Sequence, residues 1–233
     1  MEKLDGLGLL YPCYCSRDQL HAASAPHASD GRIIYAGTCR HLTRAQQALK
    51  KPTQCLRVRV PDRTVAFTDG LQGPQSLDLA EEWGDFIVRR ADGVAAYQLA
   101  VVVDDAACGV TEVVRGRDLL SSTPVQLWLY DALGLTPPAF YHVPMLMSPE
   151  GRRLSKRDRA LDLGELRKAW PPEKVIGLLA WRCGLIDRWE AVSVRELAAD
   201  FDWSRVRRED IVMDAEGLPD ASDKAIPGRP KAL

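Results

Sequence analysis

Residues 85–120 read DFIVRRADGVAAYQLAVVVDDAACGVTEVVRGRDLL, and this stretch decides the fold class. Phe86–Val88 and Gly109–Val114 are short runs rich in β-branched residues, each ending against arginine, which predicts two short strands. Asp92-Gly93 between apolar runs predicts a tight turn. Leu99–Val103 fits a buried strand and a buried helix equally well, because a short apolar run carries no deciding period. Past the second predicted strand come Arg115, Gly116 and Asp118, then Ser122-Thr123-Pro124. A capping residue with proline at the first helical position predicts a helix there, running to Gly134. In α/β folds, ligands bind where strand ends meet helix starts. Tyr97 and Arg115 are therefore the first candidates for a ligand site, since a phenol and a fork-shaped cation suit a small carboxylate. Spacing alone leaves open that Arg115 is a surface partner of Asp118 and that Tyr97 is core.

Working outward, Arg152–Arg159 holds five basic residues in eight, the clearest positive patch in the chain. The chain as a whole carries a formal charge of −1, which excludes a uniformly basic nucleic-acid binder and confines any RNA contact to local patches. Its 233 residues suffice for one large or two small domains with a real core. Hydrophobic content of 46% with 27% charged residues is that of a soluble globular protein, and no apolar run is long enough to span a membrane. The opening MEKLDGLGLLYPC lacks a charged-then-apolar export signal, so the expected compartment is the cytoplasm.

Six cysteines in a chain of this length do not suggest a disulfide framework. Cys55, Cys108 and Cys183 stand singly in apolar surroundings and are expected as small core residues. Cys13-Tyr14-Cys15 and Cys39 form a cluster instead. Thiolates at this spacing can grip one tetrahedral zinc, with a later segment closing the site. Three cysteines need a fourth ligand; by residue chemistry His41 leads, with His21, His27 and Tyr35 behind it. A reduced cluster without metal is the alternative.

Between the cluster and Asp85, His41–Lys51 reads as a helix. Cys55–Val60 (CLRVRV) alternates apolar residues with arginine and predicts a half-exposed strand. Val65–Thr68 is expected to pair with it across Pro61-Asp62, and Asp69–Ser76 to form a Gly/Pro loop. Arg57 and Arg59 then either reach RNA phosphates or form a solvated strand face. Downstream, Ser148–Asp158 reads as a polar loop suited to closing over a ligand. Asp162–Ala169 and Glu173–Leu185 read as helices. Ser193-x-x-Glu196 is a capping box opening a helix through Phe201, and the tail from Asp214 has the composition of a partly disordered end.

Several of these segments together resemble a known family. RRADG (89–93), YQLAVVVDDA (97–106), GVTEVVRG (109–116) and DLLSSTP (118–124) are similar to the catalytic region of class I glutamyl-type aminoacyl-tRNA synthetases. Arg153-Leu154-Ser155-Lys156-Arg157 looks like their KMSKS loop, with Leu154 in place of Met and Arg157 in place of the last Ser. Cys13-x-Cys15 followed by Tyr35-x-x-x-Cys39 resembles the zinc site of glutamyl-queuosine tRNA(Asp) synthetases, in which a tyrosine completes the tetrahedron. The resemblance thus implies Cys13, Cys15, Tyr35 and Cys39 as zinc ligands; the segment between Cys15 and Tyr35 is longer than the family pattern, and His41 stays as the fallback.

The resemblance implies an α/β fold. Its Rossmann-like core would be incomplete at the N-terminus, joined by a zinc-bearing α+β insertion and a C-terminal helical subdomain. The corresponding division is 1–84, 85–147 and 148–233. It implies a ligase that activates glutamate with ATP and Mg²⁺ and transfers it to the queuosine base of tRNA(Asp). Lys156 is the expected catalytic residue, with Arg153, Leu154, Ser155 and Arg157 around ATP, Tyr97 and Arg115 on glutamate, and a monomer as the expected state. The stretch from Asp158 to Leu233 is too short for the anticodon-binding domain of full glutamyl-tRNA synthetases. The family's first half, with its His-Ile-Gly-His-type motif, would precede Met1. That leaves two alternatives: an inactive zinc-stabilised RNA-binding remnant, or a fragment of a full glutamyl-tRNA synthetase.

Overall fold

The computed structural model describes residues 1–20, 27–28, 33–50, 54–154 and 163–213. Ser155, Lys156 and Arg157 of the expected lid, His21 and the tail from Asp214 lie outside the described residues. The chain divides into two compact units. The first comprises Met1–Asp69, Gly73–Val113 and Leu119–Phe140; the second comprises Gly70–Gln72, Val114–Asp118 and Tyr141–Leu233.

In chain order, α1 (Glu2–Gly6) leads into β1 (Leu10–Cys13), and the short helices α2 (Arg17–Leu20) and α3 (Arg44–Ala48) precede β2 (Cys55–Val58). Strands β3 (Thr64–Asp69) and β4 (Gly73–Asp78) come next, then α4 (Leu79–Glu82). An alternating run follows: β5 (Ile87–Arg89), α5 (Tyr97–Ala107), β6 (Glu112–Gly116), α6 (Thr123–Leu133) and β7 (Ala139–Val143). The remainder is β8 (Leu146–Met147), α7 (Leu163–Ala169), α8 (Pro172–Cys183), α9 (Val194–Ala199) and β9 (Ile211–Val212). Both expected strands at 86–114 are present within two or three residues. The ambiguous run Leu99–Val103 lies inside α5, where Leu99 and Val102 are buried and Val103 faces out, the spacing of a helix face.

The first unit rests on an antiparallel sheet of order β1-β2-β5 with Cys13 opposite Cys55 and Tyr11 opposite Arg57. Its core runs from Leu4 through Val58, Leu79, Phe86 and Val88 to Leu99, Val125, Trp128 and Leu129. Helix α6 is buried along most of its length. It is tied to α5 by an amide chain in which Gln126 donates to Gln98 Oε1 (2.7 Å) and Gln98 donates to Ser122 Oγ (3.2 Å). Ser122 is thus not the helix cap the sequence suggests. It already has helical φ/ψ at the end of a 3₁₀ segment, Arg117–Ser122, and its hydroxyl makes no cap hydrogen bond.

Other expectations fail as well. Val65–Thr68 does not pair with β2: it lies in β3, which forms a hairpin with β4, Val65 opposite Leu77 and Phe67 opposite Gln75. The expected loop at 69–76 is therefore half strand, because the alternation on Gly73–Asp78 outweighs one Gly-Pro pair. The helix expected over 41–51 is only the five residues of α3, opened by a Thr43–Gln46 capping box. Cys108 is exposed at the end of α5 rather than in the core.

In the second unit, α8 packs Val175 and Leu178 against Trp170, Trp189, Ile211 and Met213. Parallel β8–β9 closes that core, and Ser193 and Glu196 form the expected capping box on α9, which ends at Ala199. Among the described residues no helix is long and apolar enough to cross a membrane.

Candidate functional site

The cysteine cluster is assembled by strand pairing. Cys13 ends β1 and Cys15 follows two residues on, while Tyr35 and Cys39 come from the segment ahead of α3. Tyr35 is set by a bridge to Gly84, whose φ of +60° and lack of a side chain admit the neighbouring chain. A Cβ on Gly84 would lie 2.6 Å from Ile34 Cγ2. The Sγ atoms of Cys13, Cys15 and Cys39 lie within 4.8 Å of one another. Cys15 Sγ is 3.7 Å from Cys39 Sγ, and Tyr35 Oη is 3.4 Å from Cys13 Sγ and 3.8 Å from Cys15 Sγ.

A tetrahedron with metal–sulfur bonds of about 2.3 Å has sulfur–sulfur edges of about 3.8 Å. The four donors therefore fit one tetrahedral ion. Among the described residues, the cluster able to hold a metal through His, Cys, Asp or Glu comprises these three cysteines, and neither His41 nor His27, both exposed, belongs to it. Backbone N–H groups complete the cradle: Cys39 N–H donates to Tyr35 Oη (2.7 Å) and Tyr14 N–H to Cys39 Sγ (3.5 Å).

The electrostatics of the cluster are uneven. Cys13 is drawn down to about 4, chiefly by a hydrogen bond with the Cys55 thiol, while burial opposes the shift. Cys15 is pushed up to about 11 by burial. Tyr35 is raised by burial, and Cys55 is raised by its bond to Cys13. A divalent ion would favour the deprotonated form of every ligand.

Arg57, expected on a half-exposed strand face, is buried instead. Its Nη1 donates to Asp85 O (2.8 Å) and its guanidinium lies 3.8 Å above the Tyr35 ring, so it is not available to RNA phosphate. Beside it, the Asp85 carboxylate accepts from Tyr11 Oη (2.5 Å), Arg40 Nη1 (2.9 Å) and Val60 N–H (2.8 Å). Sequence reasoning missed Arg57, Cys55 and Asp85 as parts of one site. The available signal was Cys55 two residues before Arg57, which places both on one face of a strand.

The strand-end candidates fall in different units. Tyr97 opens α5 in the first unit and is half exposed. Arg115, in the second, donates its Nε–H to Nε2 of fully buried His142 (2.9 Å), and Gln72 Nε2 donates to His142 O (2.8 Å). Asp118 pairs with Arg153 rather than with Arg115, and Arg117 with Asp210 (2.6 Å). Leu154 is half buried, its N–H bonded to Leu146 O (3.0 Å). At this edge the second unit thus gathers Arg115, Arg117, Asp118 and Arg153 around one strand end.

The family model described as tRNA synthetases class I (E and Q), catalytic domain, matches residues 1–218. A glutamyl-Q tRNA(Asp) synthetase of Symbiobacterium thermophilum is 52% identical over 226 residues, 94% of this chain and 69% of that protein. Its counterpart in Nocardia farcinica is 42% identical over 226 residues, 95% of this chain and 70% of that one. The one from Nitratidesulfovibrio vulgaris is 50% identical over 193 residues, 80% of this chain and 59% of that one. Among solved structures, a glutamate tRNA ligase of Elizabethkingia meningosepticum, crystallised with its amino acid, superposes with a TM-score of 0.73 at 23% identity. That match covers 92% of this chain and 49% of the other, and at this identity it speaks for the fold alone.

Proposed function

Because the chain belongs to the catalytic-domain family of class I glutamyl and glutaminyl tRNA synthetases, we propose that it serves in attaching glutamate to the queuosine base of tRNA(Asp). What carries this reading is the identity of 42–52% to proteins bearing that activity's name, over 80% or more of this chain. The chain spans 59–70% of those relatives' lengths, and the proposed activity is that of the whole protein. In the first step a glutamate carboxylate oxygen attacks the α-phosphorus of ATP and pyrophosphate leaves; Mg²⁺ bound to the ATP would supply charge neutralisation on its phosphates. In the second a hydroxyl of the queuosine base attacks the adenylate's carbonyl carbon, AMP departs and a proton is released. Cytoplasmic tRNA is the substrate, and the protein acts as a monomer.

Positioning and charge stabilisation supply the acceleration in such phosphoryl chemistry. Lys156 puts its ammonium against the developing negative charge on the phosphates, flanked by Arg153, Leu154, Ser155 and Arg157. The Arg153–Asp118 ion pair anchors the start of that segment beside the strand end carrying Arg115. Arg115 meets a glutamate carboxylate with a guanidinium plane fixed by His142, and Tyr97 contributes its hydroxyl. Cys13, Cys15, Tyr35 and Cys39 hold a structural zinc; when bound, the ion cross-links β1 to the chain ahead of α3. In this scheme residues 1–84 carry the metal and acceptor-facing insertion, 85–147 the nucleotide-side core and 148–233 the lid and helical subdomain.

The test incubates the protein, as its gene expresses it, with labelled glutamate, ATP, Mg²⁺ and tRNA(Asp) with and without queuosine. Label is expected only on queuosine-bearing tRNA and is expected to resist removal of the 3′-terminal adenosine. Label lost with that adenosine would mark a conventional glutamyl-tRNA synthetase instead and overturn the proposal.

A further inference from the structure

We infer that Arg57 is a positioning residue of the metal centre: its buried guanidinium supplies the counter-charge and the ring clamp that let three thiolates and Tyr35 share one divalent cation. The inference rests on the zinc reading above and assigns a task to a residue outside the ligand set.

A buried cation needs a compensating charge, because leaving water is costly for an isolated ion. Arg57 is 6% exposed. The Asp85 carboxylate is not its partner, since that group is engaged by Arg40, Tyr11 and the Val60 N–H, and Arg57 bonds only the neutral Asp85 carbonyl. Among the described residues Arg57 forms no ion pair, and its Nε is buried without a hydrogen-bond partner. What the guanidinium does face is the cluster: it lies 3.8 Å above the ring of Tyr35, whose Oη is 3.4 Å from Cys13 Sγ.

The cluster has the complementary deficit. Three thiolates around a divalent ion leave one net negative charge, and an ionised Tyr35 oxygen would add a second. Such charge is felt strongly where Cys13 and Cys39 are buried. The guanidinium offsets it and, lying flat on the ring, fixes the tilt that turns Tyr35 Oη towards the sulfurs. Cys39 N–H holds the same oxygen from the other side. β2 thus presents Cys55 and Arg57 on one face, one beside Cys13 and the other over Tyr35.

The experiment measures zinc affinity by competition with a chromophoric chelator, for the whole protein and its Arg57→Met, Tyr35→Phe and doubly substituted forms. Arg57→Met is expected to weaken zinc by roughly 10–100-fold, the usual cost of losing an outer-shell partner. At least half of that loss, on a logarithmic scale, is expected to vanish when Tyr35 is already Phe. No loss, or equal loss in both backgrounds, would overturn the inference, because Arg57 would then not act through the Tyr35 oxygen. Should Arg57→Met fail to fold by circular dichroism, Arg57→Lys keeps the cation and is expected to bind within about 10-fold of the parent; weaker binding overturns the claim. If the unsubstituted protein takes up no zinc, it is the metal centre itself that falls.

Discussion

At the scale of single residues, the molecule uses charge where a strand's alternation would ordinarily use surface. Asp85 is buried with three donors on one carboxylate. Asp85→Asn removes the charge and turns an NH₂ group towards donors. The expected cost is about 2–3 kcal/mol in denaturant unfolding, the low end for a broken buried pair because Arg40 is partly exposed. A cost within experimental error would show that the network is incidental. Cys13 and Cys15 differ in sign. Near pH 7 the value of about 4 leaves Cys13 already deprotonated, whereas the value of about 11 keeps the proton on Cys15. Zinc uptake near pH 7 must then expel the Cys15 proton but none from Cys13, so zinc affinity should rise with pH through the neutral range. Proton release on adding zinc to weakly buffered, chelator-stripped protein checks this. Counted per zinc bound, Cys13→Ser should leave the release intact, while Cys15→Ser should diminish it.

At the scale of elements, close approach decides what a helix can carry. Gly177 sits inside α8, where the crossing segment brings Glu190 O to 1.8 Å from the place a Cβ would take. The same segment docks through Trp189 Nε1 to Lys174 O (3.1 Å) and Val192 N–H to Glu173 O (3.1 Å). Gly177→Ala, favourable in an exposed helix by propensity, is expected instead to destabilise the second unit by about 3 kcal/mol, as overpacking against backbone does. Thermal unfolding followed by tryptophan fluorescence measures it, with Trp170 and Trp189 as reporters 5.3 Å apart. Capping shows the complementary lesson. The Ser193–Glu196 box was readable because its bonds are local. Ser122-Thr123-Pro124 also read as a helix start, by a capping residue before proline, yet its serine hydroxyl serves Gln98 instead, a partner 24 residues away that no local rule weighs.

At the scale of the whole molecule, the cationic segment after Arg152 is the expected seat of catalysis. Lys156→Ala is expected to lower glutamate-dependent ATP–pyrophosphate exchange by about 10²–10³-fold while zinc content stays unchanged, the magnitude of losing one charge-stabilising donor. Unaltered exchange would remove Lys156 from the chemistry. The family, the two short strands near 86–116, the helix ending at Gly134, and the convergence of Cys13, Cys15, Tyr35 and Cys39 were legible in the sequence, because each rests on local pattern or on a motif. Tertiary structure alone decided the pairing of β3 with β4 rather than β2, the burial of Arg57, the engagement of Asp85 and the bond from Arg115 to His142. Side-chain period tells which residues share a face, but not what that face meets. An arginine on a strand reads as surface until the fold brings it a carbonyl, an aromatic ring and a cluster of thiols, and those partners lie far from it along the chain.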